Sequence, residues 1–363
     1  MMRKLLMVFM VFGLGMVFLL NTVPAMAASD KLSLLTWEGY VTDKMIEDFK
    51  NDTGITVEVT YIANNDELIS KMRATAGEGY DVAQPSVDNT PEAQRNFGIY
   101  QPLDFSKITT MDNIIPSMAK AVMDMTNLDG KIYSIPYTWG TSGIVVNTNK
   151  IQKNSYSYMD IYDEKWCGRA TTRFRWPTFA GAGYGLGWDV FRNMRDEFLF
   201  RNTIENITEF LIARKKCIKT YWTTRQEHID LMAKEECWIS QGWDGTGWLL
   251  SKKYPHIKFY APEEGALGWI DTSCVSAGAE NIDGAYKWIN FIMQPETAGH
   301  LIEQGGFLSA VKGSTGYLPA EQKKLIEDSF PPEAIDNINW YPAIPEYVNE
   351  MRAAAEEKLK AAR

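Results

Sequence analysis

Histidine and cysteine, the residues that most often bind metals or act in catalysis, are scarce in this chain. Three histidines and four cysteines occur among 363 residues. The histidines are His228, His256 and His300, which lie far apart in the sequence, and no two cysteines form a Cys-x-x-Cys pair. Because no metal-ligand spacing is present, we expect neither a metal site nor a cofactor.

Hydrolase motifs are also missing. The sequence has no Gly-x-Ser-x-Gly turn, and its scattered histidines give no pattern for a Ser-His-Asp set. We therefore expect a binding protein and no enzymatic activity. The alternative, a secreted enzyme, would be revealed by turnover of a substrate by the purified protein.

Basic residues are outnumbered by acidic ones. The chain has 37 Lys and Arg against 46 Asp and Glu, a formal net charge of −9. Nucleic-acid binding through phosphates needs basic stripes, so no nucleic-acid partner is expected. An acidic surface suits cations, and the 12 tryptophans are numerous enough to provide stacking surfaces in a binding site.

Long apolar runs are confined to the N-terminus. Arg3 and Lys4 precede the apolar stretch Leu5–Leu20, and small residues follow up to Ala27. This order is typical of a secretory signal peptide cut before Ala28. The apolar run, about 16 residues, is short for a membrane span. We expect residues 1–27 to be removed and the product to be exported.

The length predicts about two domains, and the first of them alternates strands with helices. A strand at Lys31–Thr36 precedes a helix at about Thr42–Asn51, then a strand at Ile55–Ile62 and a helix at about Asp66–Thr75. This order predicts a parallel sheet covered by helices, in which ligands bind at the carboxyl ends of strands. The candidate residues at such ends are Trp37, Tyr40, Ser86 and Asp88.

The alternation restarts after an apolar strand at Gly143–Val146. The predicted elements that follow are strands at Cys167–Phe174, Ile218–Trp222, Cys237–Gln241, Ile257–Tyr260 and Trp269–Ala277, with helices at Val190–Leu199, Ile204–Lys215, Glu227–Ala233, Asp283–Met293 and Pro345–Ala362. No repeat or low-complexity linker separates the two units. The sequence therefore predicts two α/β lobes joined by crossing strands.

Several short motifs follow one another along the chain. They are Trp37-x-x-Tyr40, Gly79-Tyr80-Asp81-Val82, Tyr133-Ser134-Ile135-Pro136-Tyr137-x-Trp139-Gly140, Trp243-x-Gly245 and Trp269-Ile270-Asp271. With these motifs the chain resembles the periplasmic solute-binding proteins of ABC transporters, in the spermidine/putrescine-binding branch. The resemblance implies a monomer in the periplasm that binds a small organic amine and delivers it to an ABC permease in the inner membrane.

The resemblance also implies a fold. It predicts the two-lobed α/β fold of periplasmic binding proteins, with crossing hinge strands and a ligand cleft between the lobes. Lobe I would comprise residues 30–140 plus about 275–315, and lobe II residues 141–274 plus about 316–363.

Site residues follow from the same resemblance. Asp271 takes the position of the amine-binding carboxylate, Trp243 and Trp269 those of the aromatic cage, and Trp37 and Tyr40 that of the first-lobe wall. Ser86 could form a hydrogen bond, Phe307 stands where the family often has tyrosine, and Tyr341 falls near a polar contact. An aromatic face stabilises an ammonium by about 0.5–2 kcal/mol, and a carboxylate adds a charged hydrogen bond.

One segment departs from the family. Polyamine-binding members have two acids after the first strand of the second lobe, whereas this chain has Arg173-Phe174-Arg175 there. Asp88 and Asp244 are acids at strand ends that could compensate. Alternatively, Arg173 and Arg175 could contact the carboxylate of a zwitterionic amino-acid or opine-like ligand, or both could be solvated.

Export permits disulfides. We expect any bridge to lie among Cys167, Cys217 and Cys237, and we favour Cys167–Cys237 because both begin strands expected to be neighbours. Cys274 is expected to be a buried thiol. The remaining alternative is that the cysteines are buried small hydrophobic residues.

Overall fold

A computed structural model describes residues 30–330 and 337–362 and shows a mixed α/β protein. The predicted signal peptide, residues 1–27, lies outside the described residues. Within them, no helix combines the length and the apolar character needed to cross a membrane.

The regular elements follow the alternation expected from the sequence. The strands are β1 (Lys31–Trp37), β2 (Thr56–Ile62), β3 (Val82–Ala83), β4 (Asn127–Leu128), β5 (Lys131–Ile132), β6 (Ile135–Asn147), β7 (Ala170–Arg173), β8 (Ile218–Trp222), β9 (Ile239–Trp243), β10 (Ile257–Tyr260), β11 (Leu267–Val275), β12 (Leu308–Ser309) and β13 (Asn339–Trp340). The helices are α1 (Asp43–Thr53), α2 (Asn65–Ala74), α3 (Thr90–Phe97), α4 (Pro116–Met125), α5 (Trp176–Gly185), α6 (Val190–Asn193), α7 (Glu197–Arg214), α8 (Arg225–Ala233), α9 (Asp244–Lys253), α10 (Ile282–Ile292), α11 (Pro295–His300), α12 (Ala320–Ser329) and α13 (Glu346–Ala361).

Helix α1 shows how local sequence sets these boundaries. The side chain of Thr42 accepts a hydrogen bond from the amide of Met45 at 3.3 Å, which caps the first turn. Gly54 ends the helix in the left-handed conformation, with φ of 76°. Met45 and Phe49 form its buried face. The predicted helix is therefore confirmed, with its ends shifted by one or two residues.

A single path of paired strands runs through the molecule in the order β2-β1-β3-β11-β6-β9-β7-β8. In the first half, β1 pairs in parallel with β2 and β3. In the second half, β7 pairs in parallel with both β8 and β9. Each half thus has its first strand between the next two, and helices connect them as the sequence predicts.

Strand β11 connects the two halves. Leu267 to Ser273 pair antiparallel with β6, whereas Cys274 and Val275 pair antiparallel with β3. The pairing with β6 shifts register between Asp271 and Thr272. Such a bulge bends a strand locally, and here it lies where the strand leaves one half for the other.

Strand β6 is longer than the sequence predicted. It spans 13 residues, of which only Trp139 is not fully buried, whereas alternation identified only Gly143–Val146. The preceding residues include Pro136 and Gly140, which disfavour strands in isolation. Pairing with β11 on one side and β12 on the other makes them part of the sheet.

Separate apolar cores support the two halves. In the first, Leu32 and Leu34 of β1 pack with Phe49 of α1 and Trp288 of α10. In the second, the core is formed mainly by β6 and helices α5, α7 and α13. Helix α13 packs along α7, and Lys215 at the end of α7 donates to the carbonyl of Leu359 at 2.9 Å. The exact lobe boundaries stay a prediction.

The favoured disulfide was wrong. Cys167 is bonded to Cys217, while Cys237 and Cys274 are buried free thiols. Both β8 and β9 flank β7, so the sequence could not tell which neighbouring cysteine Cys167 meets. The amide of Gly168 donates to the carbonyl of Cys217 at 2.8 Å, which brings the turn before β7 to the start of β8. The prediction for Cys274 is confirmed.

The region around residue 195 also differs from the expectation. The helix predicted at Val190–Leu199 is broken: α6 ends at Asn193 and α7 begins at Glu197. The carboxylate of Asp196 accepts from the amide of Leu199 at 2.9 Å and starts the second helix. This cap competes with continuation of the first helix.

Candidate functional site

A cavity of about 400 Å³ lies where the two halves of the sheet meet. Its walls come from the ends of β1, β7 and β9, from the segment after β3, and from the middle of β11. The predicted residues that line it are Trp37, Tyr40, Ser86, Asp88, Arg173, Arg175, Trp243, Trp269, Asp271, Phe307 and Tyr341. The structure therefore brings together in one place side chains that are more than 300 positions apart in the chain.

Asp271 supplies a buried carboxylate to this cavity. Its Oδ2 accepts a hydrogen bond from the hydroxyl of Tyr40. Its Oδ1 is buried and has no hydrogen-bond partner within the described residues. The backbones of Ser86 and Asp271 form an antiparallel bridge, which holds the carboxylate at the junction of the two halves. One oxygen is thus fixed and the other is left for a ligand.

Burial also changes the protonation of this group. It raises the pKa of Asp271 to about 7, although the hydrogen bond from Tyr40 and the nearby Ser86 side chain favour the ionised form. The neighbouring carboxylate of Asp88 raises the pKa of Asp271 further, and Arg173 opposes this. A bound cation would favour ionisation, because a buried carboxylate gains most from a nearby opposite charge.

Aromatic rings surround the carboxylate. Phe307 contacts Tyr40 and Trp269, with ring centroids 4.8 Å and 6.1 Å away. Trp37 lies 6.4 Å from Tyr40, and its Nε1 donates to the carbonyl of Gln84 at 2.9 Å, which orients the indole. The rings present faces and edges at which an ammonium can bind.

Gly140 makes room for one of these rings. A Cβ at this position would lie 2.5 Å from Cζ2 of Trp269, a distance that real Cβ atoms do not adopt. The glycine in the Trp139-Gly140 motif is therefore explained by the tryptophan directly opposite it on the adjacent strand, β11.

Arg173 occupies the other side of the cavity. Its guanidinium lies 4.6 Å from the ring centre of Trp243 and 5.7 Å from that of Trp222. Its Nη2 donates to the carbonyl of Ala63, in the opposite half, at 3.1 Å. Burial lowers the pKa of Arg173 to about 10, and the nearby Arg175 contributes to this shift. Arg173 is thus held by the protein from both sides of the cavity and is only partly exposed.

The remaining predicted charges have protein partners. Arg175 forms an ion pair with Glu356 at 3.4 Å. Asp88 accepts from the side-chain Nδ2 of Asn89 at 3.0 Å, and burial raises the pKa of Asp88 to about 6, against the effect of Arg352. Both Arg175 and Asp88 still line the cavity.

Asp244 does not line the cavity. Its carboxylate is fully buried and accepts from the amides of Thr141 at 2.7 Å and Gly245 at 2.6 Å. These bonds connect the start of α9 to β6, and burial raises the pKa of Asp244 to about 7. Its position between two elements fits a structural acceptor, not the ligand contact that we considered from the sequence.

Two arginines in the wall were missed. Arg225 lies 4.6 Å from the ring centre of Phe307, and its Nη1 donates to the carbonyl of Gly305 at 2.9 Å. Nothing in its sequence context distinguishes it from a surface arginine. Arg352 reaches the cavity from α13 and lies 4.9 Å from the ring centre of Trp176.

A signal for Arg352 does exist in the sequence. Val348, Ala355 and Leu359 form the buried face of α13, and Arg352 falls on that face at helical spacing. An arginine in an apolar stripe indicates a buried charge with a specific partner. The high charge of the helix as a whole concealed this position.

Comparison with known proteins identifies relatives along most of the chain. The profile of the bacterial extracellular solute-binding proteins matches residues 44–325. The putrescine-binding periplasmic protein PotF of Escherichia coli (strain K12) is 26% identical over 322 residues, which is 84% of each chain. The spermidine/putrescine-binding periplasmic protein of the same organism is 26% identical over 351 residues, 92% of this chain and 93% of the relative.

Solved structures show the same fold. The spermidine/putrescine ABC transporter substrate-binding protein PotD from Streptococcus pneumoniae superposes with a TM-score of 0.74 at 23% identity, over 92% of this chain and 99% of that chain. The architecture described above is that of a two-lobed periplasmic binding protein.

Proposed function

Because this chain belongs to the family of bacterial extracellular solute-binding proteins, we propose that it binds a polyamine of the putrescine/spermidine type or a related organic amine in the periplasm. In this role it passes the amine to an ABC permease in the inner membrane. The names of the relatives, which bind putrescine and spermidine, support the ligand class. They do not favour the zwitterionic alternative.

The carboxylate of Asp271 is the observation that carries this proposal. It lies buried at the junction of the halves with Oδ1 unpartnered among the described residues, and Tyr40, Trp269 and Phe307 enclose it. A buried carboxylate without a cation is costly. An alkylammonium would supply the missing charge and hydrogen bond, and the rings would take its methylene groups.

The size of the cavity agrees with a small ligand. A volume of about 400 Å³ lies at the lower end of the usual range for small-molecule sites, roughly 300–1,000 Å³. The walls come from both halves of the sheet. Ligand contacts with both halves therefore stabilise the closed arrangement that a permease would recognise.

We place the lobes at residues 30–140 plus about 275–315 and at 141–274 plus about 316–363, and we propose that the protein acts as a monomer without a cofactor. The division puts β6 and β11 at the crossing. It also agrees with the packing of α13 on α7 in the second half. Closure would then bend the chain mainly at these strands.

Calorimetric titration with putrescine, spermidine and cadaverine tests the proposal. Asp271→Asn should weaken binding by about 1.5–3 kcal/mol, the usual value of a hydrogen bond to a charged group. Asp283→Asn is the matched control, because Asp283 is an exposed acid paired with Lys107 outside the cavity. Absence of binding for every amine by folded wild-type protein would contradict the proposed function.

A further inference from the structure

We propose that Arg173 determines specificity at this site, so that the bound amine has one ammonium group and a hydrogen-bond acceptor at its other end. The inference rests on the proposed function and narrows its ligand class. The acceptor can be neutral, as in an amide carbonyl, or anionic. A second ammonium is excluded from the Arg173 side of the cavity.

The position of the Arg173 guanidinium is the first observation. It covers the ring of Trp243 at 4.6 Å, so an aromatic surface that could receive a ligand cation already has a cation on it. The bond from its Nη2 to the carbonyl of Ala63 holds it there from the opposite half. A second ammonium approaching Trp243 would meet a like charge at short range in a site shielded from water.

The distribution of charge inside the cavity is the second observation. Asp88 and Asp271 are the buried carboxylates of the wall, whereas Glu38 and Asp66 are exposed and the half-buried Glu67 is paired with Lys71. The positive charge of Arg352 acts to lower the pKa of Asp88 and so favours its ionised form. Asp271 is the buried wall carboxylate with an oxygen that has no hydrogen-bond partner among the described residues, and a second ammonium would have to share Asp88 with Arg352.

The third observation is a set of buried donors. Nε of Arg173, and Nε and Nη2 of Arg225, are buried and have no hydrogen-bond partner in the part of the chain that the structure describes. Both arginines line the cavity. Buried donors without acceptors are unfavourable, so a ligand gains from bringing an acceptor and gains nothing from bringing another donor.

Three ligands with the same four-carbon spacing test the inference by calorimetry: putrescine, N-acetylputrescine and 4-aminobutyrate. Wild-type protein should bind at least one of the two acceptor-ended compounds more than tenfold tighter than putrescine. Arg173→Ala should remove most of this preference by weakening the acceptor-ended ligands and strengthening putrescine. Arg173→Gln, which keeps most of the side-chain length, gives the same comparison if the alanine variant does not fold.

Arg169→Ala is the matched control. Arg169 also lies over a tryptophan, with its guanidinium 5.0 Å from the ring centre of Trp238, but it does not line the cavity. It should leave the order of the three affinities unchanged. Circular dichroism and thermal melting establish that each variant is folded.

The outcomes separate the two proposals. If putrescine binds tightest to wild type and neither Arg173 variant changes the ratio of affinities, the inference is overturned while the proposed function stands. If folded wild-type protein binds none of these amines or spermidine, the proposed function itself is overturned. A loss of affinity for all three ligands by the same factor in both Arg173 variants would show a role in closure without specificity, and would also overturn the inference.

Discussion

At the scale of single residues, the protonation of Asp271 should set the pH range of binding. Its pKa is raised by burial to about 7, whereas alkylammonium groups stay charged up to about pH 10. Below pH 7 the ligand must displace a proton from the carboxylate. By the same linkage, the free energy of unfolding of the ligand-free protein should decrease from about pH 4 to pH 7 and then level off, because over that range the folded state holds a proton that the unfolded state has released.

We therefore expect the affinity for an amine to fall on acidification, by roughly a hundredfold between pH 8 and pH 5. Titrations across this range measure it, and titrations at pH 7 in buffers of different ionisation enthalpy should detect proton release on binding. Asp271→Asn should remove most of the pH dependence. An affinity that is constant from pH 5 to pH 8 would show that Asp271 is ionised without the ligand.

Residue types and family order predicted much of the candidate site, but not the partners of its charges. Asp271 and Trp269 were identified because they stand in a recognisable motif. The place of Asp244 outside the cavity wall could not be predicted, because its carboxylate accepts from backbone amides of β6 and α9, a relation that exists only after folding. Arg352 was missed because the high charge of α13 concealed its place on the apolar face of that helix.

At the scale of elements, the packing of β6 against β11 constrains the aromatic wall. Gly140→Ala would place a methyl group 2.5 Å from the Trp269 ring and 3.0 Å from Oδ1 of Asp244. Overpacking of this kind destabilises by about 1–3 kcal/mol. We expect a lower melting temperature together with weaker amine binding, since the Trp269 ring must move.

Gly316→Ala is the control for this substitution. A Cβ at Gly316 meets nothing within 4 Å, and its φ is not positive, so stability and binding should both stay near wild type. Equal melting temperatures and affinities for Gly140→Ala and wild type would mean that the ring can move without consequence.

The disulfide fixes the start of β7 against the start of β8. Non-reducing peptide mapping of the protein should recover Cys167 linked to Cys217 across 50 residues of sequence. Replacing both with serine should destabilise the protein by about 2–4 kcal/mol, because the unfolded chain regains the entropy of an open loop. Denaturant unfolding measures this change.

The free thiols provide the contrast. Cys237 and Cys274 are buried and unbonded, and burial raises the pKa of Cys237 to about 11. Both should resist alkylation in the folded protein and react after unfolding. A bridge between Cys167 and Cys237 in the peptide map would contradict the assigned pairing.

Local patterns predicted elements well wherever local signals determine them. Strand β8 and helix α1 have alternation, caps or an apolar face that is visible in the sequence. The long β6 could not be predicted in full, because its first half becomes a strand only through pairing with β11 and β12. The same reason left open whether Cys167 meets Cys217 or Cys237.

At the scale of the whole molecule, binding should couple to stability and to tryptophan emission. Trp37, Trp243 and Trp269 all line the cavity, so a ligand changes their surroundings. At a ligand concentration 100-fold above its dissociation constant, linkage adds about 2.7 kcal/mol to the free energy of unfolding.

Thermal melting with and without each amine measures this effect, and fluorescence titration gives an independent signal. We expect a higher melting temperature and a quenched or shifted emission with the preferred amine. Unchanged melting and emission with every amine would contradict the cationic ligand and leave the two-lobed fold unaffected.

The bulge in β11 between Asp271 and Thr272 lies at the point about which the two halves would rotate on closure. When one rigid body rotates against another, the displacement of an atom grows with its distance from the axis. Groups beside the pivot therefore move least, and groups at the outer edge of the cavity move most. Asp271 lies at the bulge, where β11 passes from pairing with β6 to pairing with β3. Rotation about this point would leave the carboxylate in place while exposed wall residues such as Asp66 and Thr223 move farther. An arriving amine would therefore bind first to the carboxylate at the pivot, and the outer walls of the cavity would close on its other end afterwards.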